Sequence, residues 1–410
     1  MTKPVIYLDN NATTAVAPEV REALLPFLES QYFNPSSSYD PARAVRDAME
    51  NARESVGRIL GAGSLTEVIF TAGGTEGNNA ALSGALAANP NRRHIITTAV
   101  EHPAVLEVAR ELERRGYRLT VLPVDKSGQL DARDLVHALA RDTAVVSIMH
   151  ANNETGAIFP VDELSRIVKE TDPTIIFHTD ATQSVGKLPI DLSDKLPHVD
   201  ILTFSGHKLH APKGIGAMYV RRGVRWRPFM LGGHQERGRR AGTENVAFAV
   251  GLGVATELAR AALPDESELV RLQRKLEREI RARVTHTLIN AEEAPRLPNT
   301  TSFAFEYIEG EGILFALGEQ GICASSGSAC TSGSLDPSHV LKAMAVPFTA
   351  AHGSLRISTS RYTTEQEIDT LIEILPGVVA SLRRMSPYWD QSRDAPKEGV
   401  DVMVQDKFNS

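Results

Sequence analysis

Three polar segments of the sequence each follow a short apolar run and carry residue types suited to chemistry. Short apolar runs predict buried strands, and open α/β sheets bind their ligands at the carboxyl ends of strands. The segments are Gly73-Gly74-Thr75 after the run at 68–70, Asp180 after the run at 175–177, and Ser205-Gly206-His207-Lys208 after the run at 201–204. Each segment is therefore positioned to meet a ligand.

Each segment has a chemical and an ordinary interpretation. Glycines between a strand and a helix let backbone N–H groups bind phosphate, but the same residues form tight turns. Asp180 could hold a ring nitrogen or cap the next helix, and Lys208 could form a Schiff base or face solvent. Pyridoxal 5′-phosphate needs a bound phosphate, an acid at its pyridinium nitrogen and an amine for its aldehyde. In combination, the three segments favour this cofactor.

The elements that must position these segments alternate between strand and helix. Helix-like stretches at 103–115 and 161–170 separate apolar runs, which is typical of a mostly parallel, doubly wound sheet. The pattern ends near 263–265, and a charged amphipathic helix at 266–284 follows. The predicted strands of the sheet lie at 68–70, 95–97, 145–148, 175–177, 201–204 and 218–220. A smaller α+β unit is predicted from a strand at 301–305, a helix after 311, a strand at 355–358 and a helix at 364–383.

The composition excludes several classes of protein. With 410 residues, 42% hydrophobic and 23% charged, the chain is long enough for two or three domains and has a globular balance. Its net charge of −7 argues against nucleic acid as a partner. The sequence has two cysteines and shows neither a signal peptide nor a transmembrane segment. We therefore expect a protein of the reducing cytoplasm, without a membrane partner.

Eight motifs follow one another in order along the chain, from residue 7 to residue 341. They are YLDNNATT from Tyr7, FNPSSSY from Phe33, EHPAVLE from Glu101, ANNETGAIFPV from Ala151, HTDATQSVGKLPIDL from His178, SGHKLHAPKG from Ser205, LGGHQERGRRAGTEN from Leu231 and SSGSACTSGSLDPSHVL from Ser325. In these motifs the chain resembles enzymes of the class V aminotransferase fold, and among them the cysteine desulfurases of the nitrogen-fixation (NifS) type.

The resemblance implies an α/β protein of the pyridoxal-phosphate-dependent transferase fold type I. The expected large domain, with the mostly parallel sheet, spans 15–263 and binds the cofactor. The expected small α+β domain consists of 1–14 and 264–388 and carries the cysteine loop. A flexible tail is expected at 389–410.

The resemblance also assigns a role to each candidate site residue. Lys208 is expected to bind the cofactor covalently and to move the Cα proton of the substrate, and Asp180 to pair with the ring nitrogen. His102 is expected to stack on the ring and to serve in proton transfer, and Arg356 to clamp the substrate carboxylate. The other expected cofactor contacts are Gln183 and Asn153 at the ring, with Asn153 also touching the substrate, Gly74, Thr75, Ser205, Gly206 and His207 at the phosphate, and Thr243 from the second subunit of a homodimer.

Cys330 lies in the segment 325–334, which has none of the large apolar residues of a packed core. A thiolate on such a loop can reach a substrate sulfur and then an acceptor. Cys323 follows Ile322 on a predicted strand and is therefore interpreted as structural. A disulfide or metal clip between the two cysteines is the alternative, but it would immobilise the carrier. We therefore expect Cys330 to be the nucleophile, with no structural metal site and at most a transient iron–sulfur contact.

The implied reaction converts L-cysteine to L-alanine and leaves a persulfide on Cys330. Its sulfur is expected to pass to an iron–sulfur scaffold protein, in the service of nitrogenase. Three alternatives stay open at this point. A selenocysteine lyase shares the cofactor chemistry, an ordinary aminotransferase needs no mobile thiol, and a non-catalytic sulfur carrier or assembly scaffold could retain the fold. Lys208 together with Cys330 argues against the carrier or scaffold. The long SSGSAC-type loop resembles desulfurases that supply sulfur to assembly systems, which favours the desulfurase over the lyase.

Overall fold

The computed structural model describes residues 5–263, 266–326 and 337–398. Its strands are β1 (Ile6–Tyr7), β2 (Val68–Thr71), β3 (His94–Thr98), β4 (Arg118–Leu122), β5 (Thr143–Ser147), β6 (Ile176–Asp180), β7 (Ile201–Ser205), β8 (Gly216–Val220), β9 (Thr287–Ile289), β10 (Thr300–Phe305), β11 (Ile322–Cys323), β12 (Ser354–Ser358), β13 (Trp389–Asp390) and β14 (Ala395–Pro396). Its helices are α1 (Pro18–Leu24), α2 (Pro26–Glu29), α3 (Asp40–Leu60), α4 (Gly74–Ala88), α5 (Pro103–Arg114), α6 (Ala132–Ala138), α7 (Val161–Thr171), α8 (Gln235–Gly238), α9 (Val246–Ala262), α10 (Glu266–Arg283), α11 (Gly310–Glu319), α12 (His339–Ala343), α13 (Phe348–Ala351) and α14 (Glu365–Met385). Within the described ranges, no helix is both long and apolar enough to cross a membrane.

A seven-stranded sheet with the strand order β2-β8-β7-β6-β5-β3-β4 forms the centre of the fold. The pairs from β4 through β3, β5 and β6 to β7 are parallel, whereas β8 runs antiparallel to β7 and to β2. In this sheet every strand except β8 therefore points the same way, which confirms the predicted mostly parallel arrangement. The carboxyl ends of β2, β3, β5, β6 and β7 consequently lie along one edge.

The two faces of this sheet are both covered by helices. Val146 and Phe177 belong to a hydrophobic cluster shared with α3, α7 and α9, whereas their chain neighbours Val145 and Ile176 belong to a cluster shared with α4 and α5. Successive side chains of a strand face opposite sides of a sheet, so both sets are buried. This double burial is the reason that the strands appear in the sequence as continuous apolar runs.

A separate hydrophobic cluster lies in the C-terminal part of the chain. It forms around an antiparallel sheet of order β12-β10-β9, with α10, α11 and α14 packed on it. Leu8 is fully buried in this cluster, and β1 pairs in parallel with β11. Val340 and Met344 instead pack on the cluster of the large sheet. The two cores favour the proposed large domain at 15–263 and small domain of 1–14 and 264–388.

The helices and strands predicted from the sequence are present within a few residues of their expected ends, and five further strands were not predicted. These are β1, β4, β9, β13 and β14. β13 and β14 form a hairpin in which Trp389 is buried beside Tyr307. Packed structure therefore extends past the predicted start of the flexible tail at residue 389, and residues 399–410 lie outside the described residues.

The contact between α3 and α9 depends on a glycine. A Cβ at Gly253 would lie 2.7 Å from the Cα of Ala52, and no side-chain rotation could relieve that contact between backbones. Gly253→Ala should therefore lower the free energy of unfolding by about 1–3 kcal/mol, although alanine is the better helix former. The measurement is equilibrium unfolding followed by far-ultraviolet circular dichroism.

Gly377→Ala in α14 is the matched control. A Cβ at this position meets no described atom within 4 Å. The same substitution should there raise the free energy of unfolding by roughly 0.5–1 kcal/mol, because alanine has the higher helix propensity. Equal effects of the two substitutions would contradict the packing argument.

Candidate active site

A cavity of about 330 Å³ lies at the carboxyl edge of the large sheet, between that edge and the β12 side of the small core. The predicted site residues that line it are Gly74, Thr75, His102, Asn153, Asp180, Gln183, Ser205, His207, Lys208 and Arg356. Gly206 is buried between Ser205 and His207 in the short turn that follows β7. The fold therefore brings together residues that are far apart in the sequence.

Asp180 ends β6 with its carboxylate in this cavity. One oxygen, Oδ2, accepts a hydrogen bond of 2.6 Å from Nδ2 of Asn78, which is 1% exposed. The other, Oδ1, accepts the backbone N–H of Thr182 at 2.9 Å, as an aspartate does when it caps a turn. Asp180 thus caps the turn that follows β6, and its carboxylate is also held in one orientation by Asn78 of α4. This orientation suits it to pair with a ring nitrogen.

Lys208 reaches the cavity from the turn after β7. Its Nζ donates hydrogen bonds of 2.6 Å to each of the backbone carbonyls of Asn11 and Ala12. These carbonyls belong to the N-terminal segment, which crosses from the small core to the large one. The amine that would bind the cofactor is therefore positioned by backbone atoms nearly two hundred residues away.

The turn between β2 and α4 can approach an anion closely. Gly73 has a φ of 148°, and a Cβ on Gly74 would lie 2.8 Å from Oγ1 of Thr182. This Oγ1 is buried and has no hydrogen-bond partner in the described part of the chain. The free backbone N–H groups that begin α4 and this hydroxyl fit a phosphate. With Asp180 and Lys208, they fit pyridoxal 5′-phosphate.

His102 caps α5 with its imidazole ring. Its Nδ1 accepts the backbone N–H of Ala104 at 3.1 Å, so the neutral ring carries its proton on Nε2. Burial lowers the pKa of His102, although the charge of Asp180 opposes this effect. A neutral ring at pH 7 can stack on an aromatic cofactor and keep an N–H donor available.

Glu101 precedes His102 and is completely buried. Its Oε1 accepts hydrogen bonds from the backbone N–H of Met149 at 2.7 Å and from the hydroxyl of Thr98 at 3.1 Å. Burial raises the pKa of Glu101 to about 8, so the carboxyl group is mostly protonated at neutral pH. Glu101 therefore fixes the position of the loop after β5 through the backbone of Met149. Because its carboxyl group is mostly protonated, it places little negative charge beside His102.

Arg356 lies on β12 and is 2% exposed. Its Nη2 pairs with Oδ1 of Asp9 at 2.7 Å, and its Nη1 donates to the carbonyl of Asn153 at 2.9 Å. Its buried Nε has no partner among the described atoms. A buried N–H without an acceptor is costly, so this group is suited to receive a carboxylate. The backbone of Arg356 bridges to Ser325, from which the chain leads toward Cys330.

Gln183 and His207 contact the same N-terminal segment as Lys208. Nε2 of Gln183 donates to the carbonyl of Asn11 at 3.0 Å, and Nδ1 of His207 lies 3.1 Å from the hydroxyl of Thr13. Burial, together with the neighbouring charge of Lys208, lowers the pKa of His207 to about 4. At neutral pH His207 is therefore an uncharged hydrogen-bonding group near the predicted phosphate position.

Among the described residues, the predicted site residues Gly206 and Thr243 do not line the cavity. Thr243 is exposed on the loop before α9. Cys330 lies outside the described residues, within 327–336. Cys323 is on β11, as expected, and is exposed. The roles of Thr243 and Cys330 thus stay predictions from the sequence resemblance.

Sequence reasoning missed several residues that contact the candidate site. Asn11 and Ala12 lie in the first motif, to which no role was assigned. Asn78 is four positions after Gly74, and this spacing was an available signal because residues i and i+4 share one face of a helix. The missed residues are Asp9, Asn11, Ala12, Asn78 and Thr182.

Comparison with known proteins agrees with this geometry. Residues 6–371 match the family model Aminotransferase class-V, and the chain belongs to this family. A cysteine desulfurase of Trichormus azollae is 55% identical over 388 residues, which cover 94% of this chain and 95% of the relative. Cysteine desulfurase NifS of Azotobacter vinelandii is 54% identical over 385 residues, with the same shares of 94% and 95%.

Solved structures give the same result. A structure described as a NifS-like protein has a TM-score of 0.86 at 37% identity, and the match covers 92% of this chain and 100% of that one. A structure described as SspA in complex with cysteine has a TM-score of 0.76 at 34% identity, with 88% of this chain and 100% of that one covered. These matches confirm the predicted fold class and the predicted resemblance.

The bond from Asn78 to Asp180 gives a testable prediction. Asn78→Leu removes the donor to Oδ2, so the carboxylate loses its orientation and should hold the ring nitrogen less well. We expect the apparent dissociation constant for pyridoxal 5′-phosphate to rise about tenfold, since a hydrogen bond to a charged group is lost. The measurement is titration of apoprotein with the cofactor, followed by visible absorbance.

Asn79→Leu is the matched control for this measurement. Within the described part of the chain, the side chain of Asn79 bonds only to the carbonyl of Thr75 in its own helix. Cofactor affinity should stay near the wild-type value in this variant. Equal losses of affinity in the two variants would mean that α4 as a whole, and not the bond to Asp180, is responsible.

Proposed function

We propose that this chain is a pyridoxal-phosphate-dependent cysteine desulfurase. The observation that carries the proposal is the cavity that joins Lys208, Asp180 and the buried Arg356, which are an amine, a partner for a ring nitrogen and a carboxylate clamp. Relatives named cysteine desulfurase match nearly the whole chain at 54% and 55% identity. The family to which the chain belongs depends on pyridoxal phosphate. The substrate proposed for this protein is L-cysteine.

Each group of cavity residues would have a separate role in such a reaction. When bound, pyridoxal 5′-phosphate supplies an electron sink for negative charge that develops at the Cα of an amino acid. Asp180 would hold the ring nitrogen, and the amides at the start of α4 would hold the phosphate. The unpartnered Nε of Arg356 would bind the substrate carboxylate and so orient Cα toward Lys208.

Two groups are placed to move protons. Nζ of Lys208 would take the proton from the substrate Cα. His102 would present its Nε2 proton over the ring, because its Nδ1 is already engaged by the backbone of Ala104. Both groups are half-buried, which limits the access of water that would compete for these protons.

The sulfur step is proposed for Cys330. Its thiolate would attack Sγ of L-cysteine, forming an S–S bond while the Cβ–Sγ bond breaks and its electron pair stays on the carbon skeleton. Protonation of that carbon gives L-alanine, and Cys330 keeps the sulfur as a persulfide, so that atoms and electrons balance without an external oxidant. Ser325 supports this role because its bridge to Arg356 starts the cysteine loop at the carboxylate clamp.

The persulfide sulfur would pass to an acceptor protein. We propose an iron–sulfur scaffold protein as that acceptor and nitrogenase as the recipient of the clusters, because a relative at 54% identity is the NifS protein of Azotobacter vinelandii. A persulfide carrier needs its thiol reduced between turnovers, so the proposal places the enzyme in the cytoplasm.

A homodimer would complete the site. The loop that carries Thr243 is held by Arg240, which pairs with Glu76 in the first turn of α4 at 2.9 Å. Large apolar side chains are exposed on the segment before α3, at Tyr32, and on the segment between β8 and α8, at Leu231, which are 71% and 84% exposed. Exposed apolar groups of this kind are typical of an interface. Thr243 would then reach the phosphate of the other subunit.

Replacement of Cys330 tests the nucleophile. Cys330→Ser should keep the bound cofactor and its yellow colour but lower the joint production of sulfide and alanine at least about 100-fold, because a hydroxyl cannot form the persulfide. The assay supplies L-cysteine and a reducing thiol and quantifies both products together with the visible spectrum.

Cys323→Ser is the control for this assay, and it should retain turnover because Cys323 lies on β11 rather than in the cysteine loop. Undiminished turnover in Cys330→Ser would show that Cys330 is not the nucleophile. Wild-type protein that is yellow but releases selenium from selenocysteine and no sulfur from cysteine would indicate a selenocysteine lyase. Colourless protein would indicate a non-catalytic carrier or scaffold.

Mixed dimers test the proposed role of Thr243. One subunit carries Lys208→Ala and the other carries Thr243→Val, and differently tagged chains allow the mixed dimer to be purified. If Thr243 acts on the other subunit, both defects fall on one site, and about half of the sites bind the cofactor with wild-type affinity. Absence of any wild-type site would show that Thr243 acts within its own chain.

A further inference from the structure

A second lysine lies behind the predicted cofactor site. Lys187 is on the turn that follows β6, and its Nζ donates to Oε1 of Gln183 at 2.9 Å and to the backbone carbonyl of Gln183 at 3.1 Å. Within the described residues it forms no ion pair with a carboxylate. Gly186 ties this turn to the large core, because a Cβ there would lie 2.9 Å from Cβ of Ala259. The position of Lys187 is therefore set by the fold.

The bond from Lys187 determines which way the amide of Gln183 points. An ammonium group donates and cannot accept, so Oε1 faces Lys187 and the NH₂ group faces the cavity side. Nε2 of Gln183 donates to the carbonyl of Asn11 at 3.0 Å, and the same carbonyl accepts from Nζ of Lys208 at 2.6 Å. One amide and one carbonyl thus connect the two lysines.

Lys187 also places a cation close to Lys208. Burial lowers the pKa of Lys187 to about 7, with further lowering from the charges of Lys208 and Arg356. The interaction is reciprocal, so a charged Lys187 lowers the proton affinity of the nitrogen of Lys208. The other titratable or charged groups that face Lys187 are His207 and His210, and, across the cavity behind Lys208, Arg361 and Glu268.

We propose that Lys187 is a positioning residue for the reaction: it holds the Gln183 amide with its N–H group toward the cofactor and lowers the proton affinity of the nitrogen of Lys208. The inference rests on the proposed function, because it requires that Lys208 bind the cofactor. Lys187 is charged below pH 7 and loses its proton as the pH rises through about 7, so both effects weaken above that pH.

The pH dependence of the visible absorption band of the bound cofactor tests the charge effect. Lys187→Met removes the cation, so the pH midpoint of the band should rise by about half a unit or more. Lys187→Arg keeps a charge at every pH and should lower that midpoint below the wild-type value. Lys195→Met removes an exposed lysine from the same region and should leave the midpoint unchanged. A loss of fold stability alone would not move the two Lys187 midpoints in opposite directions.

A double-mutant cycle tests the effect through the amide. Lys187→Met should lower kcat about fivefold with a smaller change in KM, and this loss should largely disappear in a Gln183→Leu background, where no amide is left to orient. Lys187→Arg should restore most of kcat. If Lys187→Met does not fold, the pH midpoint of the visible band in Lys187→Arg still tests the charge effect, because it should lie below the wild-type midpoint.

The outcomes separate this inference from the function on which it rests. Wild-type protein without the visible band, or without sulfide from L-cysteine, overturns the proposed function and this inference with it. A wild-type enzyme whose band midpoint is the same in Lys187→Met, Lys187→Arg and Lys195→Met overturns the inference alone. Full additivity of the Lys187 and Gln183 substitutions overturns the connection through the amide.

Discussion

The hydrogen bonds of residues 9–14 hold the small hydrophobic core against the edge of the large sheet, and the candidate site is closed by this contact. The backbone N–H of Asn11 donates to Oγ of Ser358 at 2.9 Å on the small-core side, while the carbonyl of Asn11 accepts from Lys208 on the other side. One short segment therefore sets the separation between the amine of Lys208 and the guanidinium of Arg356. Because both ends of that segment are bonded through backbone atoms, the arrangement tolerates little displacement.

The site concentrates buried charges that a purely structural core would avoid. Asp180, Lys187 and Arg356 are removed from much of the solvent, and burial of an ionised group costs free energy unless hydrogen bonds replace water. Asn78 does this for Asp180, Gln183 for Lys187, and Asp9 for Arg356. Each pair leaves a donor or acceptor for a ligand, so the same bonds that stabilise the charge also orient it.

The fold could be read from the sequence wherever a strand is buried on both faces. β5, β6 and β7 are completely buried, and each appears as an apolar run. β4 was missed because it is the edge strand, pairs only with β3 and has the mixed sequence RLTVL with Arg118 exposed. The hairpin with Trp389 was missed because it consists of two-residue strands in a polar segment, and its stability comes from contacts with distant aromatic residues.

The sequence by itself determined which residue types end each strand and turn: the glycines before α4, Asp180 after β6 and Lys208 after β7. These are local features, because a strand and the turn that follows it are continuous in the chain. Only the tertiary structure decided their partners. Asn78 and Asp180 are 102 residues apart, Lys208 and Asn11 are 197 apart, and Arg356 and Asp9 are 347 apart. Strand order and the docking of the two cores bring these pairs together, and both depend on the burial of apolar surface across the whole chain, which no local pattern contains.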